Sequence, residues 1–495
     1  MSIDEKVITP CYLINLEQVT QNYHEFFSLI HISGRQDILA YSVKANYDIS
    51  IIKELDRLGA YFEVCSKYEY NLLLTYGINP VKIIINACSG TGDVFDWGHR
   101  SFLIILDSPE QVHIWVNNGC VNEIGLRVNL NCLTQDDRFQ NKVSRFGLDL
   151  QSTIFKNLLK KVDRSKIVCL HCHLSGNNRE PSIYADAISE IYSYIKEFRF
   201  TSVRNIDIGG GFKIGDNYWK FSDYIDAIDQ ACKVRGNDIP IIYELGNSLV
   251  INVAEYHTRI ISHKEINGSN IFIVDGSSLH LPKIAIKNLK PSIKNIHAQG
   301  ESYDCSVIAG NTCKEADVLA TFKIPITVAI GDEIVCYNIG AYSLNTLNTL
   351  ILGMPKIYVK ENEKIFMRIG KYNFLIVCRY MDCFIPQDNA NNDYSIIDEK
   401  LNGEFKGLPG LYSFVNDSGE IIYIGEAHQR PLSTRIKQHF RVNDTGGLRY
   451  KLSQEEIVEL EHSTLCVCPL NLGKDDIRRI ERELIVTYHP PFNFV

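Results

Sequence analysis

The stretch Asp37-Ile38-Leu39-Ala40-Tyr41-Ser42-Val43-Lys44-Ala45-Asn46 sets the reading of the whole chain. Its apolar run reads as a buried strand, and Lys44 stands at the C-terminal end of that strand. Charged side chains are seldom buried unless they are paired or chemically employed. One reading puts the ammonium in solvent. The other makes Lys44 an amine that condenses with a carbonyl cofactor. The residues around it in the fold decide between them.

Outward from Lys44, strand-like runs alternate with amphipathic helical segments over residues 25–255. The strands are Asp37–Ala40, Tyr61–Val64, Lys82–Ile85, Phe102–Leu106, Glu123–Val128, Ile167–His173, Asn205–Ile208 and Pro240–Glu244. Helical patterns lie between several of them, as at Ile51–Leu58, Lys67–Tyr76, Thr153–Val162 and Ser182–Phe198. This rhythm predicts an α/β fold, a (β/α)8 barrel of TIM type, with a doubly wound open sheet as the alternative. Eight units favour closure. From 256 to 385 the pattern turns to strands spaced by turns, which predicts a β domain. Residues 386–404 have linker composition, and 405–495 read as a separate small α/β unit.

The chain has 495 residues, 45% hydrophobic and 22% charged, with net charge −8. That composition belongs to a globular protein and gives no general reason to expect a polyanion partner. No basic segment followed by an apolar run opens the sequence, and no long charge-free apolar run suggests a membrane span. The 15 cysteines are scattered, mostly within apolar runs. That suits reduced thiols and a cytoplasmic location better than a disulfide framework.

A barrel enzyme carries its chemistry at the C-terminal ends of its strands. Lys44 stands at one such end and His171-Cys172-His173 at another. Asp207-Ile208-Gly209-Gly210-Gly211-Phe212 and Glu244-Leu245-Gly246-Asn247 close two more. Three glycines directly after a strand let backbone N–H groups approach an anion, although a tight loop without a ligand has the same composition. His173 suits either a core position or stacking on an aromatic ring. Glu244, closing an apolar strand, favours a cationic partner such as a pyridinium nitrogen, or an ordinary salt bridge.

In this order the motifs resemble the fold-type III pyridoxal-phosphate decarboxylases, the ornithine/diaminopimelate/arginine decarboxylase family. The resemblance rests on Tyr41–Asn46, Ser144-Arg145-Phe146-Gly147, His171–Gly176, Gly209–Phe212 and Glu244-x-Gly246. It continues through Gly310-Asn311-Thr312-Cys313-Lys314-Glu315-Ala316-Asp317 and Gly340-Ala341-Tyr342, spanning roughly 10–385. It implies a pyridoxal 5'-phosphate barrel at 25–255 and a β domain made of 1–24 and 256–385. Lys44 would carry the cofactor, His173 would stack on its ring, and Glu244 would pair with the ring nitrogen. Gly209, Gly210, Gly211 and Tyr342 would hold the phosphate. Cys313, from the other subunit of a homodimer with shared sites, would return a proton to Cα. Asp275 and Lys314 would face the far end of a small-molecule amino-acid substrate. The chain departs from the family's usual Glu-Pro-Gly-Arg at Asn247, and its Ser175-Gly176 order is inverted. It also places Lys314 where an acidic residue usually binds a distal ammonium. That reversal of sign implies a substrate whose distal group is not simply a cationic amine, in a specialised biosynthetic pathway. Diaminopimelate or ornithine decarboxylation proper is the neighbouring expectation.

The last unit resembles a GIY-YIG nuclease domain. Tyr412 and Tyr423 fall in two strands joined by the turn signal Asn416-Asp417-Ser418-Gly419. Arg435 falls in a helical segment Leu432–Phe440, Glu481 in a last helix, and Asn493 near the end. The resemblance implies that a tyrosine assists a water nucleophile, Arg435 supports a phosphate, and Glu481 binds Mg2+. Yet 405–495 hold 11 Lys+Arg against 12 Asp+Glu, which gives little support for nucleic acid as a partner. A metal-dependent nuclease with a degenerate barrel is the expectation from a different class.

Overall fold

The computed structural model describes residues 7–31, 34–88, 93–130, 144–174, 179–215, 218–236, 239–282, 292–293, 302–303, 306–321, 323–361, 364–367, 385–386, 410–415, 421–427, 432–440, 451–454, 456–457, 460, 464–469, 478, 481–482, 485 and 491–493. The expected strand Phe374–Arg379, the segment Ser175–Asn178, the turn at Asn416–Gly419 and nearly all of the 386–404 linker lie outside them. Two compact units make up the chain: Met1–Leu74 with Ile78–Met367, and Thr75–Gly77 with Arg368–Val495.

In the first unit β1 (Cys11–Asn15) is followed by eight strands that close into a parallel barrel in sequence order. They are β2 (Ile38–Ser42), β3 (Tyr61–Val64), β4 (Ile83–Ala87), β5 (Leu103–Leu106), β6 (Ile124–Arg127), β7 (Ile167–His171), β8 (Asn205–Asp207) and β9 (Ile241–Leu245). β9 pairs back onto β2 with Ala40 opposite Glu244. Every residue of β5, β7 and β9 is buried. Near-continuous apolar runs are what strands covered on both faces require. Each expected strand matches one of the eight, with ends shifted by one or two residues.

Helices follow the strands, among them α1 (Leu16–Ile30), α2 (Ile49–Leu58), α3 (Lys67–Thr75), α4 (Val94–Trp97), α5 (Pro109–Asn117), α6 (Thr153–Leu159), α7 (Pro181–Glu197), α8 (Phe221–Arg235) and α9 (Asn247–Val250). Their ends are chemically marked. Asp48 caps α2, which stops at Gly59 with φ 97°. Ser108 and Gln111 form a reciprocal capping box on α5.

The β domain is a nine-stranded sheet. Its main path runs Val318–Thr321, Ser306–Ala309, Ser269–Val274, Ala254–Ile266, β1, Lys356–Glu361 and Lys364–Met367. β1 is parallel to Lys356–Glu361 and antiparallel to Ala254–Ile266. Two expected boundaries move. The division at 24/25 falls inside α1, which caps on Asn15 and packs on α2, α8 and α9. It is therefore a barrel-covering helix whose apolar face needs the barrel helices. At the other end, Ile385–Pro386, expected in the β domain, pairs with Thr464–Pro469 of the second unit.

The second unit carries a four-stranded antiparallel sheet in the order Ile385–Pro386, Thr464–Pro469, Gly410–Val415, Ile421–Ala427. Tyr412 lies opposite Gly425 and Phe414 opposite Tyr423, as the hairpin reading expects. Helix Leu432–Phe440 covers this sheet through Ile436, packed with Tyr412, Phe414, Leu460 and Phe492.

Candidate active site

The eight strands deliver polar residues to one end of the barrel: Lys44 after β2, Glu63 on β3, Asn86 on β4, Asp107 after β5, Arg127 on β6, His171 on β7, Asp207 on β8 and Glu244 on β9. Lys44 sits in a short helical turn, Val43–Ala45, that breaks out of β2. Its Nζ pairs with Oε2 of fully buried Glu63, with Ser42 Oγ at 3.5 Å and Cys65 Sγ at 3.6 Å. Burial opposes the ammonium, but Glu63, Cys65 and Glu244 together outweigh it and hold Lys44 well above the usual lysine range. The lysine is therefore a paired cation: its side chain is still 38% exposed, but its ammonium is held on the fully buried Glu63 carboxylate instead of standing free in solvent.

Hydrogen bonds from the β domain position this turn. Asn345 Nδ2 donates to Lys44 O at 2.6 Å, Tyr342 N to Ala45 O at 2.7 Å, and Asn46 Nδ2 to Gly340 O at 2.8 Å. Tyr342 adopts φ 58°, a left-handed conformation that a tyrosine enters only under constraint. Burial raises its hydroxyl pKa, offset in part by nearby Lys44.

Opposite Lys44, Glu244 and Asp207 lie together with His171. His171 Nε2 is 3.4 Å from Glu244 Oε2 and 4.0 Å from Asp207 Oδ1, and Asn86 Nδ2 lies 3.3 Å from the same nitrogen. Burial pushes both carboxyl groups up, Asp207 strongly, and keeps His171 neutral. Glu244 Oε1, Asp207 Oδ2, His171 Nδ1 and Asn86 Oδ1 are buried without a donor or acceptor. A proton shared between the two carboxyls is one way to satisfy them; a protonated heteroaromatic nitrogen is another.

The glycine loop follows β8. Gly209 and Gly211 have φ of +65° and +90°, so a side chain at either would be strained. A Cβ on Gly210 would strike the carbonyl of Glu244. Gly209 N donates to Asp207 Oδ1 at 2.8 Å, and Gly210 N to His173 Nδ1 at 3.3 Å. Burial, with Lys44 and Arg179 nearby, drives His173 well below the usual histidine range, so its ring is neutral. The Ser144–Gly147 segment docks through Asp107, which accepts from Gly147 N at 3.1 Å and pairs with Arg127 at 3.2 Å. The structure thus brings Lys44, His173, Gly209–Gly211, Glu244 and Tyr342 into one network. An orphaned carboxylate atom, a glycine-lined loop and an amine paired with a buried carboxylate fit a phosphorylated pyridine aldehyde.

Three expected residues stand elsewhere. Asp275 accepts from Thr9 Oγ1 at 2.6 Å, Thr258 Oγ1 at 2.5 Å and Arg259 N at 2.9 Å. It ties the strands of the β domain together, because a carboxylate buried between strands must be satisfied by their donors. Cys313 and Lys314 are exposed on the 310–317 loop. That loop is held by Asp317, which accepts from Ser277, Ser278 and Thr312. Glu63, Asn86, Arg127 and Cys65 were missed. Their signal was a polar residue at or beside the end of each apolar strand. Cys65 donates its S–H to Glu63 Oε1 at 2.9 Å, and the neighbouring thiols of Cys65 and Cys88 act on each other, which raises the Cys65 pKa and brings Cys88 down to about 7, with Arg127 assisting.

In the second unit Tyr412, Tyr423, Arg435 and Glu481 converge. Tyr412 OH pairs with His439 Nε2 and with Tyr423, and Tyr423 with Arg435. Arg435 donates to Gln438 Oε1 at 2.6 Å. Burial and Glu426 raise Glu481 to about 7, against the pull of Arg435. Asn493 brackets Ile424, donating to its carbonyl at 2.7 Å and accepting from its N–H at 2.8 Å.

Residues 16–251 match the family described as "Pyridoxal-dependent decarboxylase, pyridoxal binding domain". That match covers the barrel and the helix before it, and the closed barrel with its β domain is a fold the first unit shares with solved decarboxylases. The relatives are more particular. A probable chloroplastic diaminopimelate decarboxylase of Oryza sativa subsp. japonica is 26% identical over 72% of this chain and 76% of its own. Diaminopimelate decarboxylase of Methanocaldococcus jannaschii is 23% identical over 74% of this chain and 90% of its own. Among solved structures, Helicobacter pylori diaminopimelate decarboxylase complexed with L-lysine shares the fold at TM-score 0.63 and 20% identity. It covers 73% of this chain and 94% of its own. A Vibrio vulnificus lysine/ornithine decarboxylase complexed with cadaverine does so at TM-score 0.61 and 17% identity, covering 72% and 96%.

Proposed function

We propose that the chain decarboxylates an amino acid bearing a distal acidic group, using pyridoxal 5'-phosphate. The observation that carries this reading is the Lys44–Glu63 pair beside Glu244, whose Oε1 is buried without a partner, with the glycine loop on the next strand end. Lys44 Nζ would hold the cofactor covalently, and Glu63 is placed to take the proton that the ammonium must lose. His173 would lie against the ring, Glu244 would keep the ring nitrogen protonated, and the amides of Gly209–Gly211 with Tyr342 would hold the phosphate. When bound, the cofactor supplies the electron sink for bond cleavage at Cα. Cys313, exposed in a single chain, would return a proton to Cα from the second copy in a homodimer. Lys314 beside it favours a distal carboxylate, and the named activities of the relatives make meso-diaminopimelate the first substrate to try. The nine cysteines whose side chains are described form no disulfide, in keeping with a cytoplasmic enzyme.

Two measurements test this. Titration with the cofactor should produce an absorbance band near ~420 nm. CO2 release should then be followed with meso-diaminopimelate, lysine, ornithine and arginine. Efficient turnover of ornithine or lysine would sink the distal-acid assignment while leaving the decarboxylase; no band at all would sink both.

A second activity is proposed for 410–493, carried by the convergence of Tyr412, Tyr423, Arg435 and Glu481. Glu481 would bind Mg2+ and Arg435 a phosphate, as in GIY-YIG nucleases. Metal-dependent nicking of plasmid, lost in Arg435→Ala and Glu481→Ala, is the expected result. The absence of nicking by the intact chain would refute it.

A further inference from the structure

The glycine loop has a cation that neither the motifs nor the family match assigns. Arg179 stands two residues before α7, and its guanidinium lies directly over Gly211. A Cβ on that glycine would come within 3.0 Å of Arg179 Cζ. The loop and the arginine are fixed to each other by two tyrosines. Tyr224 on α8 donates to Arg179 O at 2.5 Å and accepts from Lys213 N at 3.1 Å, just past the triplet. Its ring stacks on Phe212 at 4.1 Å between centroids. Tyr184 on α7 donates to Gly210 O at 3.0 Å and is itself hydrogen-bonded by the Arg179 side chain. Arg179 also donates to Leu174 O, next to His173. The arginine is thus braced from α7, α8 and the end of β7 against the same backbone, whose glycines let His173 and the guanidinium approach it closely.

Backbone N–H groups supply partial positive charge, whereas a phosphate dianion also favours a full one. Arginine suits that role because its planar fork can donate to two oxygens at once. Asn247, at the start of the neighbouring α9, carries no charge.

We propose that Arg179 is a phosphate-binding residue of this site, acting with the Gly209–Gly211 amides on the cofactor's phosphate. The proposal rests on the pyridoxal-phosphate reading above. It predicts selectivity for the phosphorylated form of the cofactor, carried by this one side chain.

The test compares binding of pyridoxal 5'-phosphate and of unphosphorylated pyridoxal by the full chain, read as the titrated absorbance band without any substrate. Losing a charge-assisted hydrogen bond weakens binding about 10- to 100-fold. Arg179→Gln should therefore lose that much affinity for pyridoxal 5'-phosphate and none for pyridoxal, while Arg179→Lys recovers part of the loss. Inorganic phosphate should compete with the cofactor on the wild type and much less on Arg179→Gln. Unchanged affinity for pyridoxal shows that the variant still folds its site. Equal losses for both ligands, or no loss for either, would overturn the role of Arg179 and leave the cofactor reading intact. A wild-type chain that binds neither ligand would overturn both.

Discussion

The two polar clusters of this chain are both built of buried, mutually perturbing side chains, but they are finished differently. In the second unit the tyrosines, His439, Arg435 and Gln438 satisfy one another and Asn493 satisfies the backbone of Ile424; only Ser413 Oγ is orphaned there among the described residues. In the barrel, the adjacent ends of β7, β8 and β9, with Asn86 reaching His171 from β4, leave Asn86, His171, Asp207 and Glu244 each with an unsatisfied buried atom. Such atoms cost free energy on the order of 1–3 kcal/mol each. A fold that retains four of them around one point is shaped for a ligand that supplies the missing partners. A cluster that closes on itself is stable with or without one. The barrel site should therefore be the fragile and ligand-dependent member of the pair.

The largest expected effect comes from removing the amine. Lys44→Ala should abolish the ~420 nm band and lower CO2 release by at least about 100-fold. A variant that keeps the band would break the comparison outright, because the barrel would then not be organised around its lysine. Glu244→Gln is next. It keeps the shape of the side chain but removes the charge opposite the ring nitrogen, and should cost roughly 100- to 1,000-fold in rate with the cofactor still bound. Activity near wild type would shift the ring's partner to Asp207.

Much of this was legible beforehand, for a physical reason. Apolar strands in a parallel barrel are buried on both faces, so a polar residue ending one announces itself. Lys44, His173, Gly209–Gly211 and Glu244 could be read this way. Glu63 and Asn86 are each followed by one more apolar strand residue, Val64 and Ala87, and so do not visibly end their runs, and only strand pairing in the barrel brings Glu63 onto Lys44. Arg179 was invisible because it belongs to no strand end; Tyr184 and Tyr224 place it from distant helices. Asp275 looked functional in Val274-Asp275-Gly276, yet its oxygens tie the β domain together. Spacing along a chain does not say which donors will meet a carboxylate.

The two clusters can also be separated by pH. Asp207 is raised well above the ordinary carboxylate range, by burial first and Glu244 second. The folded state thus holds a proton that the unfolded chain releases, so this contribution is complete at low pH and is lost as pH rises through the folded pKa. The melting temperature of the cofactor-free protein should fall with rising pH, by at most about 1.4 kcal/mol of stability per unit. Asp207→Asn should flatten that slope, and added pyridoxal 5'-phosphate should raise the melting temperature. Glu481 has the same sign, over a window that closes at its folded value of about 7. Protection of the amides in Gly410–Val415 against hydrogen exchange, corrected for intrinsic rates, should weaken from pH 5 to pH 7 and change little above. In Glu481→Gln that dependence should vanish.

The smallest effect probes the barrel site from its thiols. Cys88 lies against the Cys65 thiol and feels Arg127, and its pKa is lowered to about 7. An ordinary cysteine ionises near ~8.5. Only the thiolate reacts with iodoacetamide, so alkylation of Cys88, located by mass spectrometry of its peptide, should rise through pH 7 and level off above it. Cys65, held protonated by Cys88, burial and Glu63, should stay unlabelled over that range. Exposed Cys313 should label as well, and its separate peptide is the internal reference. A midpoint for Cys88 near the ordinary value would mean that the two thiols do not meet. Glu63, which accepts from both Cys65 and Lys44, would then be less tightly organised than its burial suggests. Slower labelling of Cys88 once the cofactor is bound would place that thiol on the wall of the same pocket, where Lys44 and its carbonyl partner exclude the reagent.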